Sequence, residues 1–131
     1  MAEGALSGLR LIEMGQLIAG PFCGQLMADH GAEVIKVEPP KGGDAMRDWG
    51  QGIPLWFSVV ARNKKSITLN LREKEGQEIV RKLAAKADFL LENFRPGTLE
   101  RWNLGWEELS AINEALLMIR VSGYGQSGPY S

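Results

Sequence analysis

The sequence predicts an α/β fold: a parallel, doubly wound sheet with flanking helices. Three observations carry this. Short β-branched or apolar runs alternate with helical segments along the chain, the order that parallel pairing requires. Breaker clusters such as "PPKGGD" (Pro39–Asp44) and "RPG" (Arg95–Gly97) punctuate elements without dividing the chain. No internal repeat, low-complexity tract or linker composition interrupts the 131 residues, about one domain's worth of chain.

The elements follow in order. "LRLIEM" (Leu9–Met14) is a short apolar run and reads as a strand. "GPFCGQLMADHG" reads as a helix, with Pro21 suited to its first turn and Gly31 to a left-handed cap at its end. Phe22, Leu26 and Met27 share one of its faces, which the periodicity assigns to the core. "AEVIKVE" (Ala32–Glu38) alternates and is β-branched, hence a strand. "PLWFSVVARN" (Pro54–Asn63) reads as a helix despite its valines, and "SITLNL" (Ser66–Leu71) as a strand. Lys74–Ala87 is the strongest amphipathic helix, with Ile79, Val80, Leu83 and Ala87 at core spacing. "DFLLEN" (Asp88–Asn93) is a strand. Two short helices follow around "TLERW" and "WEELSAI", and "LLMIRV" (Leu116–Val121) is the last strand.

Composition removes several function classes. With 15 basic and 16 acidic residues there is no polybasic field for nucleic acid. One cysteine, Cys23, and one histidine, His30, make neither an internal disulfide nor a Cys/His zinc site. No metal or prosthetic group is expected. The N-terminus lacks a signal-peptide pattern, and the apolar runs are far too short for a membrane span. A soluble, cytoplasmic setting is the expectation. Four tryptophans point to substantial surfaces to bury, in a core or against a partner.

The final strand runs into "SGYGQSGPYS", which contains a literal G-x-G-x-x-G at Gly123, Gly125 and Gly128. A dinucleotide fingerprint also needs a helix directly after the glycines and an acid about twenty positions on. Pro129 follows Gly128 instead. The simpler reading is a glycine-rich loop leaving a strand, and an NAD-dependent oxidoreductase stays as the outside reading. The sequence has no P-loop pattern. The last strand lacks a helix to cover it, so the chain reads as the N-terminal part of something longer, its sheet incomplete at the C-terminus.

Several segments together carry a resemblance: "GLRLIEMGQLIAGPFCGQLMADHGAEVIKVEPPKGGDAMR", "RNKKSITLNL", "ADFLLENFRPGTLERWNLGWEEL" and "VSGYGQSGPY". They resemble the class III CoA transferases, the superfamily of formyl-CoA and carnitine-CoA transferases and the related α-methylacyl-CoA racemases. The resemblance runs from about Leu6 to Tyr130, and "ENFRPG" following "AEVIKVE" is its specific part. It implies that residues 1–131 are the N-terminal part of a Rossmann-like large CoA-binding domain, and that two chains interlace as a homodimer. It implies acyl-CoA and a carboxylic acid as substrates. An aspartate forms a mixed anhydride and then an aspartyl-CoA thioester. That nucleophile is not among these residues, so no catalytic residue is assigned and the chain alone is expected to be inactive. A racemase of the same superfamily, or a non-catalytic CoA-binding module, remains as an alternative.

The resemblance also implies the CoA contacts. Ile18 and Ala19 lie near the thioester. Leu69, Asn70 and Arg72 surround adenine and phosphate. Asn93, Phe94 and Arg95 lie beside pantetheine and phosphate, and Arg101 binds phosphate. Phosphates favour cationic, preferably bidentate donors, and the bases outside the long helix are Arg47, Arg62, Lys64, Lys65, Arg72, Arg95 and Arg101. Formyl-CoA transferases have a Gln-Ser pair in place of Ile18-Ala19, which counts against a formyl or oxalyl substrate. They also have an arginine in place of Pro39, a position for which Arg47 or another base is a candidate substitute. Other polar residues have plainer readings. Cys23 is a small buried hydrophobe, and His30 complements a helix C-terminus. Glu13 and Gln16 lie near where α/β ligands bind and read as structural ahead of touching substrate, and Trp102 and Trp106 read as packing a core or interface ahead of stacking a base.

Overall fold

The computed structural model describes residues 4–50 and 52–131. It contains β1 (Arg10–Glu13), α1 (Ala19–Asp29), β2 (Glu33–Glu38), a 3₁₀ turn (Ala45–Asp48), α2 (Leu55–Val60) and β3 (Lys64–Thr68). These are followed by α3 (Lys74–Ala84), β4 (Phe89–Glu92), α4 (Thr98–Arg101), α5 (Trp106–Ile112) and β5 (Leu117–Arg120). The strands form one sheet in the order β3-β2-β1-β4-β5, and every pairing is parallel. Among the described residues no helix is long and apolar enough to cross a membrane.

Strand alternation builds a two-sided core. Ile12 and Leu90 are register partners and face the layer of α3 and α5, where they meet Val80, Ala84, Leu109 and Leu116. Leu11 and Leu91 face the opposite layer, with Ala28, Val34 and the half-buried Cys23. Each fully buried leucine contributes about 1.5–3 kcal/mol relative to exposure.

Ile79 of α3 is exposed rather than in the core. Two further expectations are corrected. Phe22 and Leu26 do not face the core; they are 49% and 46% exposed, and α1 buries Gly20, Pro21, Gly24, Gln25 and Ala28 instead. The reason is proximity: a Cβ on Gly24 would lie 1.9 Å from Glu13 Oε2, so only a small face of α1 fits against the sheet. The third strand is Lys64–Thr68 rather than Ser66–Leu71. Its cations join the ladder because carboxylates wait beneath them, Glu13 for Lys64 and Glu33 for Lys65. Leu69 keeps one ladder bond, to the Glu38 carbonyl, and residues 69–72 then leave the sheet. Residues 122–131 form bends and turns, with positive φ at Gly125 (+88°) and Gly128 (+118°) and no helix among them.

Candidate functional site

Strand order reverses between β1 and β4, since β2 and β3 lie on one side and β5 on the other. In open α/β sheets, ligands bind beyond the carboxyl ends of the strands near such a switch point. The turn after β1 is built for that place. Asn93, just past β4, accepts from the Gln16 N–H at 2.8 Å and donates back to the Gln16 carbonyl at 2.9 Å. Leu17 has a φ of 61°, a left-handed conformation that a bulky residue rarely adopts. Asp44 holds it there by accepting the Leu17 N–H at 2.9 Å.

Beneath this turn lies a buried ionic cluster. Lys36 Nζ is 3.0 Å from Glu13 Oε1 and 2.8 Å from Asp44 Oδ2, and it donates to the Gly15 carbonyl. Lys64 Nζ reaches Glu13 Oε2 at 2.6 Å and the Pro21 carbonyl at 2.7 Å. Burial pushes the Glu13 carboxyl up and the Lys64 ammonium down, while their mutual attraction opposes both shifts. The cluster glues β1, β2, β3 and the start of α1 into one unit. Glu13 is thus structural, as expected.

Above it opens a cleft of about 380 Å³, floored by Met14, Gln16, Val37 and Pro39 and walled by the 69–72 segment and by Phe94 and α4. Phe94 and Trp102 meet edge to face, with ring centroids 5.4 Å apart. Phe94 is fixed from below: its N–H donates to Glu92 Oε2, while Arg120 bridges Glu92 Oε1 and Glu100. The cleft carries two cations, Arg72 and Arg101, neither with an ion-pair partner among the described residues. An apolar slot with two arginines at its mouth suits a ligand that is part flat ring, part anion.

Four of the other candidate bases are committed elsewhere. Arg47 forks onto Glu38, Arg62 pairs with Asp29, and Lys64 and Lys65 pair with Glu13 and Glu33. Arg47 is not among the cleft's lining residues. No group of three or more His, Cys, Asp or Glu side chains among the described residues is placed to hold a metal.

Comparison with known proteins matches this architecture. The family model for CoA-transferase family III matches residues 6–131. The chain belongs to CoA-transferase family III.

Relatives of this family include the succinyl-CoA–D-citramalate CoA-transferase of Chloroflexus aurantiacus, 63% identical over 95% of this chain and 32% of that protein. The beta subunit of the succinyl-CoA–L-malate CoA-transferase from the same organism is 52% identical over the same shares. The crystal structure of a CAIB/BAIF family protein from Brucella suis superposes with a TM-score of 0.94, at 41% identity, over 98% of this chain and 36% of that one. The chain therefore spans about a third of the length of the relatives it matches.

Of the positions that the resemblance to this family singled out, the structure brings Leu69, Asn70, Arg72, Phe94 and Arg101 together in the cleft. Asn93 sits behind it, its amide oxygen and nitrogen both engaged by Gln16. Arg95 is exposed and outside the lining. Ile18 and Ala19 are exposed at the start of α1, next to Gln16 rather than in the cleft. Met14, Gln16, Val37, Glu38, Thr98 and Trp102 line the cleft without having been singled out as ligands. Position at the end of a parallel strand was the available signal for the first four. Thr98 gave none, and Trp102 offered a ring that packing explained more simply than stacking.

Proposed function

We propose that residues 1–131 form the N-terminal part of the large CoA-binding domain of a transferase that moves CoA between carboxylic acids. The observation that carries it is the cleft in which Arg72 and Arg101, without ion-pair partners among the described residues, flank Leu69, Leu71, Phe94 and Trp102. Adenine takes the apolar slot beside Leu69 and Asn70. Arg72, Arg95 and Arg101 take the phosphates. Pantetheine passes Phe94 and Asn93 toward Ile18 and Ala19, where the thioester lies. No prosthetic group is invoked.

The reaction proceeds by nucleophilic catalysis from an aspartate outside these residues. Its carboxylate attacks the donor thioester, forming a mixed anhydride and releasing CoA thiolate. The thiolate attacks the aspartyl carbonyl and releases the donor acid, leaving an aspartyl-CoA thioester. The acceptor carboxylate displaces CoA from it to form a second anhydride, and the thiolate then attacks the acceptor carbonyl to regenerate aspartate. Succinyl-CoA is the favoured donor, because the relatives at 63% and 52% identity are named for it. The same names favour transfer over racemase chemistry. A homodimer in a cytoplasmic setting is part of this reading. The apolar residues exposed on α1 and α2 and at the cap of α1, among them Ile18, Phe22, Leu55 and Trp56, support further protein packing there.

Calorimetric titration of the chain with CoA and with NADH tests the reading. CoA binds and NADH does not. Binding of NADH alone overturns the proposal. Transferase turnover by the 131-residue chain on its own would overturn the placement of the nucleophile outside it.

A further inference from the structure

Among the described residues, Glu38 is the one acidic residue that lines the cleft. It stands at the carboxyl end of β2, where a ribose-binding acid stands in dinucleotide-binding folds. A bare carboxylate there would accept a ribose diol and repel phosphate. Glu38 is not bare. Arg47 donates Nε to Oε2 at 2.7 Å and Nη2 to Oε1 at 2.8 Å. Ser66 Oγ donates to Oε1 at 2.6 Å, and the Asp44 N–H donates to Oε2 at 2.8 Å. Four donors fill the acceptor sites of the carboxylate. On its far side the Arg47 guanidinium lies 3.8 Å from the centre of the Phe57 ring. The loop closes over the pair only because residue 43 is glycine: at its φ of +69°, a Cβ would lie 2.6 Å from Glu38 Oε2 and 2.7 Å from Arg47.

We propose that Arg47 is a specificity-determining residue that acts through Glu38. By cancelling the charge of Glu38 and filling its acceptor sites, it makes the end of β2 a neutral wall and sets the cleft's preference for a heavily phosphorylated nucleotide over a less phosphorylated one. Arg47 positions and neutralises; it does not touch the ligand. The inference rests on the CoA reading above.

Calorimetric titration with CoA and with dephospho-CoA separates the two ideas. In Arg47→Met the uncancelled carboxylate weakens CoA by about tenfold and dephospho-CoA, with less phosphate charge, by about threefold. Glu38→Gln/Arg47→Met removes both charges and recovers CoA affinity to within about threefold of the parent. Equal losses for both ligands in Arg47→Met, or a double variant with a native melting temperature and no recovery, overturn the inference. If Arg47→Met does not fold, the double variant alone decides, by keeping or losing the parent's ratio of CoA to dephospho-CoA affinity. Failure of the parent chain to bind CoA at all would instead remove the CoA reading, and this inference with it.

Discussion

Asn93 clamps Gln16 across the switch point of the sheet, with its side-chain oxygen on the Gln16 N–H and its side-chain nitrogen on the Gln16 carbonyl. The two residues are 77 positions apart. The clamp joins the turn after β1 to the segment that presents Phe94 and α4, so the floor and one wall of the cleft move as one piece.

Asn93→Ala removes both bonds and leaves the Gln16 polar groups to find other partners. The expected cost is about 1–3 kcal/mol, read from urea denaturation. CoA affinity is expected to fall with it. Asn93→Asp keeps an acceptor for the Gln16 N–H but sets a second carboxylate oxygen against the Gln16 carbonyl, so it is expected to cost at least as much as alanine, and a variant as stable as the parent would count against the clamp.

Gly24→Ala tests how closely α1 is pressed onto the ionic cluster. In an exposed helix, alanine would stabilise by about 1 kcal/mol. Here its Cβ would lie 1.9 Å from Glu13 Oε2 and 3.3 Å from Lys64 Nζ. Displacing a buried charge pair reverses the sign, and a net loss on the order of 2–3 kcal/mol is expected. A variant as stable as the parent would mean that α1 does not sit where it is placed.

Lys36→Met leaves Glu13 and Asp44 facing each other without the ammonium between them. The expected loss is about 3–5 kcal/mol, because Asp44 is left as an uncompensated buried charge while Glu13 keeps only Lys64. Protease resistance of the turn at residues 15–18 should fall in parallel, since the Gly15 carbonyl and the Asp44 bond to Leu17 lose their anchor.

Acid should weaken the fold through Glu38. Burial alone would raise its carboxyl pKa. The hydrogen bonds from Arg47, Ser66 and the Asp44 N–H, with the charge of Arg47, outweigh burial and hold it at about 2 against an ordinary 4.5. The depressed value means that this stabilisation is complete above about pH 4.5 and disappears as pH falls toward 2. Melting temperatures of the parent should therefore drop across that window, and those of Glu38→Gln should drop less. Identical acid profiles would count against the pairing.

Arg101→Ala should weaken CoA by about tenfold, the scale of one lost charge-assisted contact, with little change in stability because its side chain is exposed. Arg95→Ala should have a smaller effect, since Arg95 lies outside the cleft lining. The reverse order in a titration series would move the phosphates out of the cleft.

The sequence by itself determined the fold class, the existence and order of all five strands, and the segments at whose ends the site would form. Periodicity reports which residues of one element share a face, and that information is local. It failed where a neighbouring element took precedence. Phe22 and Leu26 satisfied the helical period, yet the close approach of Gly24 to Glu13 turned them outward. The sequence pattern leaves Lys64 and Lys65 between the helix and the strand, yet the carboxylates of two other strands drew them into β3. Only the tertiary structure decided which bases remained unpaired. Seven bases met the demands of a phosphate ligand by type. Tertiary packing placed Glu13, Glu33, Glu38 and Asp29 against four of them and left Arg72, Arg95 and Arg101 without such partners among the described residues. Charge pairing spans separations such as the 51 residues between Glu13 and Lys64, a distance over which sequence spacing carries no geometry.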